Sequence, residues 1–189
     1  VIIQETGKKK IASTVETGEL LDLAIRDLGG EVVRGKVGDI NVAYLARELD
    51  AALGVEQVGV YIVPQMGYYP DSIMATLILL SQMKDGGEIR RFFQNIDKLF
   101  FKKGKISCPD ELKSLVMTRL EERAYLLGAK EMSNGDGLRL EFDDSWMLIR
   151  ASGTEPAIRV IAESASESRA NELIKKGTEL VQSLTEVRR

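Results

Sequence analysis

The sequence predicts two consecutive domains: a three-layer α/β domain with a mostly parallel sheet, then a two-layer α+β domain with an antiparallel sheet and two helices. In the first part, short β-prone runs alternate with helical runs, as they do in parallel α/β sheets. The run Lys84-Asp85-Gly86-Gly87 interrupts this alternation, and adjacent glycines are typical of a hinge or linker. Beyond it, strand-like runs follow one another after brief turns. We therefore expect domains at residues 1–85 and 88–189.

The first domain is predicted to contain three strands and three helices. Its helices have apolar residues three and four positions apart, whereas its strands are short apolar runs. Gly29-Gly30 is a stop signal for the first helix, Asp39 an N-cap for the second, and Pro70-Asp71 a start signal for the third. The predicted elements are strand 10–15, helix 20–28, strand 31–34, helix 38–53, strand 60–63 and helix 72–83.

The second domain is predicted to combine antiparallel strands with two long helices. The run "LRLEF" alternates apolar and charged residues, as a half-exposed strand does. Ser164 and Glu167 have the spacing of a capping box before the last helix. The predicted elements are a short helix at 88–96, a strand pair within 98–107, a helix starting at Pro109-Asp110, strands at 138–142, 145–150 and 157–162, and the last helix.

Composition argues against several classes of function. A formal net charge of −3 over 189 residues disfavours a nucleic-acid or anionic-membrane partner, which would require clustered Lys and Arg. The single cysteine, Cys108, excludes an internal disulfide and fits a reducing cytoplasm. Without histidine, the chain has no Cys–His or Ser–His pair and no His-ligated metal. The apolar run 72–83 is too short to span a bilayer.

The chain begins "VIIQETGKKK", without an initiator methionine or a signal sequence. We interpret it as a fragment that starts part-way through its first domain, with further domains of the same protein upstream.

The run "RASGTEPAIRV", residues 150–160, has the composition of an anion-binding loop. Arg150 is expected at the end of a strand, and a guanidinium group matches two phosphate oxygens at once. Ser152 and Thr154 supply hydroxyl groups, Gly153 allows backbone N–H groups to converge, and Arg159 supplies a second cation. The alternative is a tight turn with solvated arginines, and spacing alone leaves both interpretations open.

This loop resembles the phosphate-binding loop of the fourth domain of the α-D-phosphohexomutases, the phosphoglucomutase/phosphomannomutase family. The family pattern is Arg-x-Ser-Gly/Asn-Thr-Glu-Pro followed by a second Arg. "DGLRLEFDDSWMLIRASGTEP" is similar to the hairpin that leads into that loop, and "LDLAIRDLGGEVVRGKVGDINVAYLARE" is similar to the family's third domain. The resemblance covers nearly the whole chain.

The resemblance implies reversible phosphate transfer between the 1- and 6-positions of a hexose through a hexose 1,6-bisphosphate intermediate. In such enzymes a phosphoserine of the first domain donates the phosphate, and a Mg²⁺ held by an aspartate loop of the second assists. Neither loop occurs in these residues, so we expect no catalytic residue and no metal ligand here. The third domain would contact the sugar hydroxyls, and the fourth would hold the phosphate that does not react.

By this resemblance the phosphate-binding residues are Arg150, Ser152, Gly153, Thr154 and Arg159. The family's sugar loop, Gly-Glu-x-Ser/Asn-Gly-His/Gly, corresponds to "GVEQVGV", which keeps Glu56 and Gly59 but has Val58 and Val60 at two contact positions. A valine cannot hydrogen-bond, so at least one sugar contact is lost.

A second sugar-binding loop is implied at Gly38 and Asp39. The alternatives are that Asp39 is a plain helix N-cap and Glu56 a solvated loop carboxylate. "NGDGLR" superficially resembles the metal loop, but with Asp136 as its single carboxylate it is interpreted as a turn.

Three functions therefore compete. The first is the substrate-binding half of a phosphohexomutase that binds a phosphorylated hexose of undetermined identity. The second is a divergent phosphosugar-binding module without mutase activity, which the valines at 58 and 60 favour. The third is a structural domain that exposes helix 72–83 to a partner; we expect this helix to be buried instead, as such helices usually are in α/β domains.

Overall fold

The computed structural model describes residues 2–83, 86–94 and 98–186. The chain divides into two compact units, 1–97 and 98–189. The sequence placed the boundary at 85–88, whereas this division falls between Asp97 and Lys98. The predicted linker residues Lys84 and Asp85 lie outside the described residues.

The first unit contains a four-stranded sheet in the order β2-β1-β3-β4. Strand β1 pairs in parallel with β2 and β3, and β4 runs antiparallel to β3, so the predicted mostly parallel sheet is confirmed. The elements are α1 (Ile2–Thr6), β1 (Lys10–Thr14), α2 (Leu20–Arg26), β2 (Glu31–Gly35), α3 (Asp39–Glu48), β3 (Leu53–Glu56), β4 (Val60–Ile62), α4 (Ser72–Ser81) and α5 (Gly87–Gln94).

Two apolar clusters cover the two faces of this sheet and make the unit three-layered, as predicted. Neighbouring residues in a strand point to opposite faces, so Ile11 and Ala12 of β1 enter different clusters. The α2 side buries Ile3, Ile11, Ile25, Ala52 and Val55. The α3 side buries Ala12, Val42, Ala46, Ala51 and Ile62.

The predicted helix 38–53 is wrong at its C-terminal end. Helix α3 ends at Glu48, and Asp50 has a left-handed φ of 49° that stops further helical hydrogen bonding. The Ala52 N–H then donates to the Lys10 carbonyl, which starts the parallel pairing of β3 with β1. The strand predicted at 60–63 is therefore the antiparallel edge strand β4, and the parallel strand β3 was missed.

Helix α4 is capped as predicted, but its expected burial is wrong. The Asp71 carboxylate accepts from the Met74 N–H at 2.8 Å. None of the helix residues is buried, and Ile73 and Leu77 are exposed. On its other side, Ala75, Ile78 and Leu79 line an apolar cavity of about 640 Å³ beside α2. No described helix is both long enough and apolar enough to cross a membrane.

The second unit contains a five-stranded antiparallel sheet in the order β5-β9-β8-β7-β6, with helices α6 and α7 packed against it. The predicted α+β class is confirmed. The predicted strand pair within 98–107 is wrong, since one continuous strand pairs with β9. The elements are β5 (Phe100–Ser107), α6 (Asp110–Arg123), a 3₁₀ turn (Ala124–Leu127), β6 (Glu131–Ser133), β7 (Leu138–Glu141), β8 (Ser145–Ala151), β9 (Ala157–Ser164) and α7 (Glu167–Thr185).

Helix α7 packs on the sheet through an apolar stripe, which buries Leu173, Gly177, Val181 and Leu184. Its N-cap is Ser166 rather than Ser164: the Ser166 hydroxyl accepts from the Arg169 N–H at 3.4 Å. Ser164 lies two residues too early, and its hydroxyl accepts from the Ser166 N–H.

Gly177→Ala should destabilise the second unit by about 1–2 kcal/mol. A Cβ at this position would lie 2.7 Å from Met147 Sδ and 2.8 Å from Val160 Cγ1, and the stiff, buried valine cannot move aside. This strain outweighs the gain of about 1 kcal/mol from replacing a helical glycine. Urea unfolding followed by circular dichroism measures the change. Lys175→Ala, at an exposed position of the same helix, is the control. A Gly177→Ala variant as stable as that control would contradict this packing.

Candidate functional site

The carboxyl ends of β1, β2 and β3 lie at one edge of the first sheet, and the predicted residues Gly38 and Glu56 meet there. Glu56 is the last residue of β3 and only 9% exposed. Its Oε1 accepts from the Gly38 N–H at 2.7 Å. The alternative of a solvated carboxylate at Glu56 is therefore wrong, since this bond and its burial fix the side chain at the edge where ligands of open α/β sheets bind.

Asp39 is not the helix N-cap. Gly38, with φ of 123°, occupies that position, and Asp39 is the first helical residue. The Asp39 Oδ1 accepts from the Ile40 N–H at 2.8 Å, and the side chain is exposed beside the Gly38–Glu56 pair. A ligand role for Asp39 stays a prediction.

Gly59 lies in the turn between β3 and β4, next to Glu56. Its φ of 89° is a conformation that glycine adopts without strain. The turn is fixed because the Gly59 N–H donates to the Glu56 carbonyl and the Ser72 hydroxyl donates to the Gly59 carbonyl at 2.6 Å. Val58 is 75% exposed at the tip, whereas Val60 packs against the core on the α3 side. The two valines that depart from the family pattern thus have different surroundings.

The loop after β1 is a part of this edge that the sequence analysis missed. Arg34 donates to the carbonyls of Thr17 and Gly18 and forms a two-pronged ion pair with Asp22. The buried Ser13 hydroxyl donates to Thr17 Oγ1 and also lies 3.0 Å from the Val55 carbonyl, within hydrogen-bond distance. The signal was the polar run "STVETGE", which begins with the last two residues of β1, since polar residues at carboxyl strand ends cluster in space.

In the second unit, Arg150 and Arg159 are direct cross-strand partners on β8 and β9. Lys105 of β5 is the partner of Arg159 on its other side, so three cationic residues stand side by side on one face of the sheet. The Arg150 side chain is 11% exposed, with Nη1 at 3.8 Å from Asp136 Oδ2. The structure therefore brings together the two arginines that the sequence singled out.

Glu155 contacts two of these cations. Its Oε2 accepts from Arg159 Nη2 at 3.0 Å, and its Oε1 accepts from Lys105 Nζ at 3.4 Å. The hydrogen bond from Arg159, and then that from Lys105, lowers the pKa of Glu155. Glu155 is therefore paired with Arg159 and Lys105.

The loop between the arginines is organised by Ser152, which is buried. Its hydroxyl accepts from the N–H groups of Thr154 and Glu155 at 3.4 and 3.2 Å. Gly153 and Thr154 are exposed. Gly153 has no left-handed φ, and a Cβ built there would meet nothing within 4 Å. The conformation of the loop therefore does not require glycine at 153, and the ligand role of Gly153 stays a prediction.

Lys113 of α6 hydrogen-bonds to the backbone of this loop, and the sequence did not predict this contact. Its Nζ donates to the Ser152 carbonyl at 2.6 Å and to the Glu155 carbonyl at 2.5 Å. It also pairs with Asp110 at 2.5 Å. Nothing in the helix sequence indicates a contact with a loop some forty positions later.

The turn before β7 shapes the space beside Arg150. Gly137 has φ of 95°, and a Cβ there would lie 2.7 Å from the Ile149 carbonyl and 2.8 Å from Arg150 Cβ, so glycine is required. A cavity of about 200 Å³ opens here; it is lined by Met117, Glu121, Asn134, Asp136, Gly137, Arg150 and Ala151.

This turn does not fit a magnesium site. Among the described residues, no three Cys, Asp or Glu side chains lie close enough together to hold a metal ion. Asp136 instead lies beside the Arg150 cation, and Mg²⁺ prefers several hard oxygen ligands.

Two family models match the chain in the order that the two units suggest. The phosphoglucomutase/phosphomannomutase α/β/α domain III matches residues 2–99, and the C-terminal domain of the same family matches residues 107–179. The chain therefore belongs to the phosphoglucomutase/phosphomannomutase family.

Within this family, the chain is similar to phosphoglucosamine mutases. It is 36% identical over 186 residues to a probable phosphoglucosamine mutase of Pyrococcus furiosus, covering 98% of this chain and 41% of that protein. The chain thus spans about two fifths of the length of this curated relative.

Solved structures share the fold. A phosphoglucomutase/phosphomannomutase family protein of Burkholderia thailandensis superposes with a TM-score of 0.79 at 21% identity, over 98% of this chain and 40% of that one. N-acetylphosphoglucosamine mutase of Aspergillus fumigatus, solved with GlcNAc-6P and magnesium, gives a TM-score of 0.64 at 16% identity, over 97% of this chain and 41% of that one. A variant of the same enzyme was solved with glucose 1,6-bisphosphate.

Proposed function

We propose that this chain is the substrate-binding part of a phosphohexomutase and that its substrate is a glucosamine phosphate. The observation that carries the proposal is the pairing of Arg150 with Arg159 across β8 and β9, with the loop 152–156 between them. The similarity to phosphoglucosamine mutases supports a hexosamine over other hexoses.

The second unit would bind the phosphate that does not react. The Arg150 fork matches two phosphate oxygens, and Arg159 adds a second cation. Gly153 and Thr154 are exposed and would supply N–H and hydroxyl donors, while Ser152 keeps the loop in shape. On binding, Arg159 would donate to a phosphate oxygen instead of the Glu155 carboxylate. Without a ligand, that carboxylate lies near the position that the phosphate would take.

The first unit would bind sugar hydroxyls through Glu56, with Gly38, Asp39 and Gly59 around it. A carboxylate accepts hydrogen bonds from two adjacent hydroxyls, and the bond from the Gly38 N–H orients Glu56 before the sugar arrives. Holding the sugar and the remote phosphate fixes the reacting end in place, which is where much of phosphoryl-transfer catalysis arises.

The whole protein would interconvert hexosamine 1- and 6-phosphates through a hexose 1,6-bisphosphate. A phosphoserine and a Mg²⁺ site would come from residues outside these 189, with no catalytic residue or metal ligand in this chain. Magnesium would stabilise the charge of the phosphate being transferred. The single buried cysteine and the phosphosugar substrate favour a cytoplasmic location.

A phosphosugar-binding module without mutase activity is the second candidate. Val58, 75% exposed at the tip of the turn beside Glu56, favours it, because a valine there offers a sugar no hydrogen bond. Turnover distinguishes the candidates: the protein with its upstream domains should convert glucosamine phosphates if it is a mutase. The chain alone should bind without turnover in either case.

Glu56→Gln should weaken binding of glucosamine 6-phosphate to the chain by about tenfold and leave the affinity for inorganic phosphate unchanged. The loss reflects the charge-assisted part of the hydroxyl bonds, about 1.5 kcal/mol, while glutamine keeps the size of the side chain and a carbonyl acceptor for Gly38. Titration calorimetry with both ligands measures the two affinities.

Glu48→Gln, which removes an exposed carboxylate at the end of α3, is the matched control and should bind both ligands as the unmodified chain does. If Glu56→Gln weakened both ligands equally, or neither, Glu56 would not be a sugar contact. Absence of sugar-phosphate binding by the unmodified chain would contradict the proposed function itself.

A further inference from the structure

The Lys113 side chain is 12% exposed, yet it contacts two loop carbonyls and one carboxylate. An ammonium group has three hydrogens, and these three acceptors, Ser152 O, Glu155 O and Asp110 Oδ1, account for all of them. A lysine held in this way has none left for a ligand. Any effect of its hydrogen bonds on a ligand must therefore pass through the loop.

The contact with Ser152 fixes the direction of one peptide group. In a trans peptide the C=O and the following N–H point in opposite directions. Because the Ser152 carbonyl points at Lys113, the Gly153 N–H points away from α6. The N–H groups of Thr154 and Glu155 turn inward to Ser152 Oγ, so Gly153 carries the outward-directed amide of this turn.

The hydrogen bonds from Lys113 also determine where the partially negative carbonyl oxygens of the loop lie. A carbonyl oxygen carries partial negative charge and would repel an anion bound beside it. Lys113 keeps two such oxygens on the helix side of the loop, where its own charge balances them. The loop can then present N–H and hydroxyl groups on its other side, beside Arg150.

We propose that Lys113 is the positioning residue of the 152–156 loop: it holds the Ser152 and Glu155 carbonyls toward α6, so that the Gly153 N–H is directed at a bound phosphate. This inference rests on the proposed function, since it assigns the phosphate to that loop. Lys113 does not touch the ligand, and its contribution is the orientation of the backbone donors.

The test compares Lys113→Met with Lys113→Arg in the 189-residue chain, using inorganic phosphate and glucosamine 6-phosphate as probes. Methionine keeps the length of the side chain without its donors, and we expect about tenfold weaker binding of both probes. Arginine restores charge and donors with a wider head group, and we expect it to recover part of the loss. Lys176→Met, an exposed lysine on α7, removes the same charge away from the loop and is the control.

The amide NMR signal of Gly153 provides a second measurement that requires no ligand. In Lys113→Met this signal should shift, and hydrogen exchange of the Thr154 and Glu155 amides, which donate to Ser152 Oγ, should accelerate, while the amides of β8 and β9 stay protected. Equal phosphate affinities of Lys113→Met and Lys176→Met, with an unchanged Gly153 signal, would overturn the inference. Should the unmodified chain bind no phosphate, the proposed function fails, and the Gly153 signal still decides whether Lys113 orients the loop.

Discussion

Arg150→Ala should weaken binding of inorganic phosphate and of glucosamine 6-phosphate to the chain by a factor of about ten to one hundred. Two hydrogen bonds from a guanidinium to a phosphate are lost, and hydrogen bonds to charged groups contribute about 1.5–3 kcal/mol. The effect should be large because the Arg150 side chain is 11% exposed, so water screens its charge poorly. Titration calorimetry at low and at physiological salt measures it.

Two further variants test whether Arg150 acts through its positive charge alone or through two simultaneous hydrogen bonds from its guanidinium group. Arg150→Lys keeps the charge but cannot bind two oxygens in one plane, so its affinity should lie between those of the unmodified chain and Arg150→Ala. Arg123→Ala removes an exposed arginine at the end of α6 and should have no effect. If Arg150→Ala bound phosphate as tightly as Arg123→Ala, Arg150 would not be a phosphate ligand.

The arginine pair is the part of the candidate site that the sequence predicted best, for a local reason. Arg150 and Arg159 flank a short turn between two strands, and a tight antiparallel hairpin brings the residues on either side of its turn face to face. The number of residues between the two arginines is therefore enough to predict that they face each other across the hairpin. Spacing could not tell whether a ligand or Glu155 contacts Arg159, because that depends on side-chain conformations.

The contacts that the sequence did not reveal join residues far apart in the chain. Lys113 reaches the 152–156 loop from a different element, and the bond between Gly38 and Glu56 joins the N-cap of α3 to the end of β3. The sequence of a helix or a strand does not indicate which distant carbonyl or amide group it will contact. The family resemblance placed Gly38 and Glu56 in one site, but only the structure shows that one binds the other.

Strand β3 was missed for a related reason. Leu45, Leu49 and Leu53 continue the spacing of helix α3, so the apolar pattern does not mark where the helix ends. The helix ends because Asp50 adopts a left-handed conformation and Ala52 pairs with Lys10 of the central strand. Such pairing outweighs local helical preference.

Trp146→Ala should destabilise the second unit by about 3–5 kcal/mol, the largest stability effect expected in the chain. Trp146 is 1% exposed on β8, and its Nε1–H donates to Glu163 Oε1 at 3.0 Å. Its ring meets the Phe101 ring edge-to-face with centroids 5.9 Å apart, and the Arg139 guanidinium lies 4.1 Å from its centre. Alanine would remove all of these contacts and take the indole donor from a buried carboxylate.

The same two strands carry the candidate phosphate residues, so this loss should also reach the site. Arg150 follows Trp146 on β8, and Arg159 precedes Glu163 on β9, within the stretch where these strands pair.

Urea unfolding followed by circular dichroism measures the stability. Fluorescence cannot be used, because the chain has a single tryptophan and the variant lacks it. Hydrogen exchange of the β8 and β9 amides assigns the transition to the second unit. Trp146→Phe keeps most of the ring volume and should cost about 1–2 kcal/mol. An alanine variant no less stable than the phenylalanine variant would mean that the aromatic contacts do not hold these strands together.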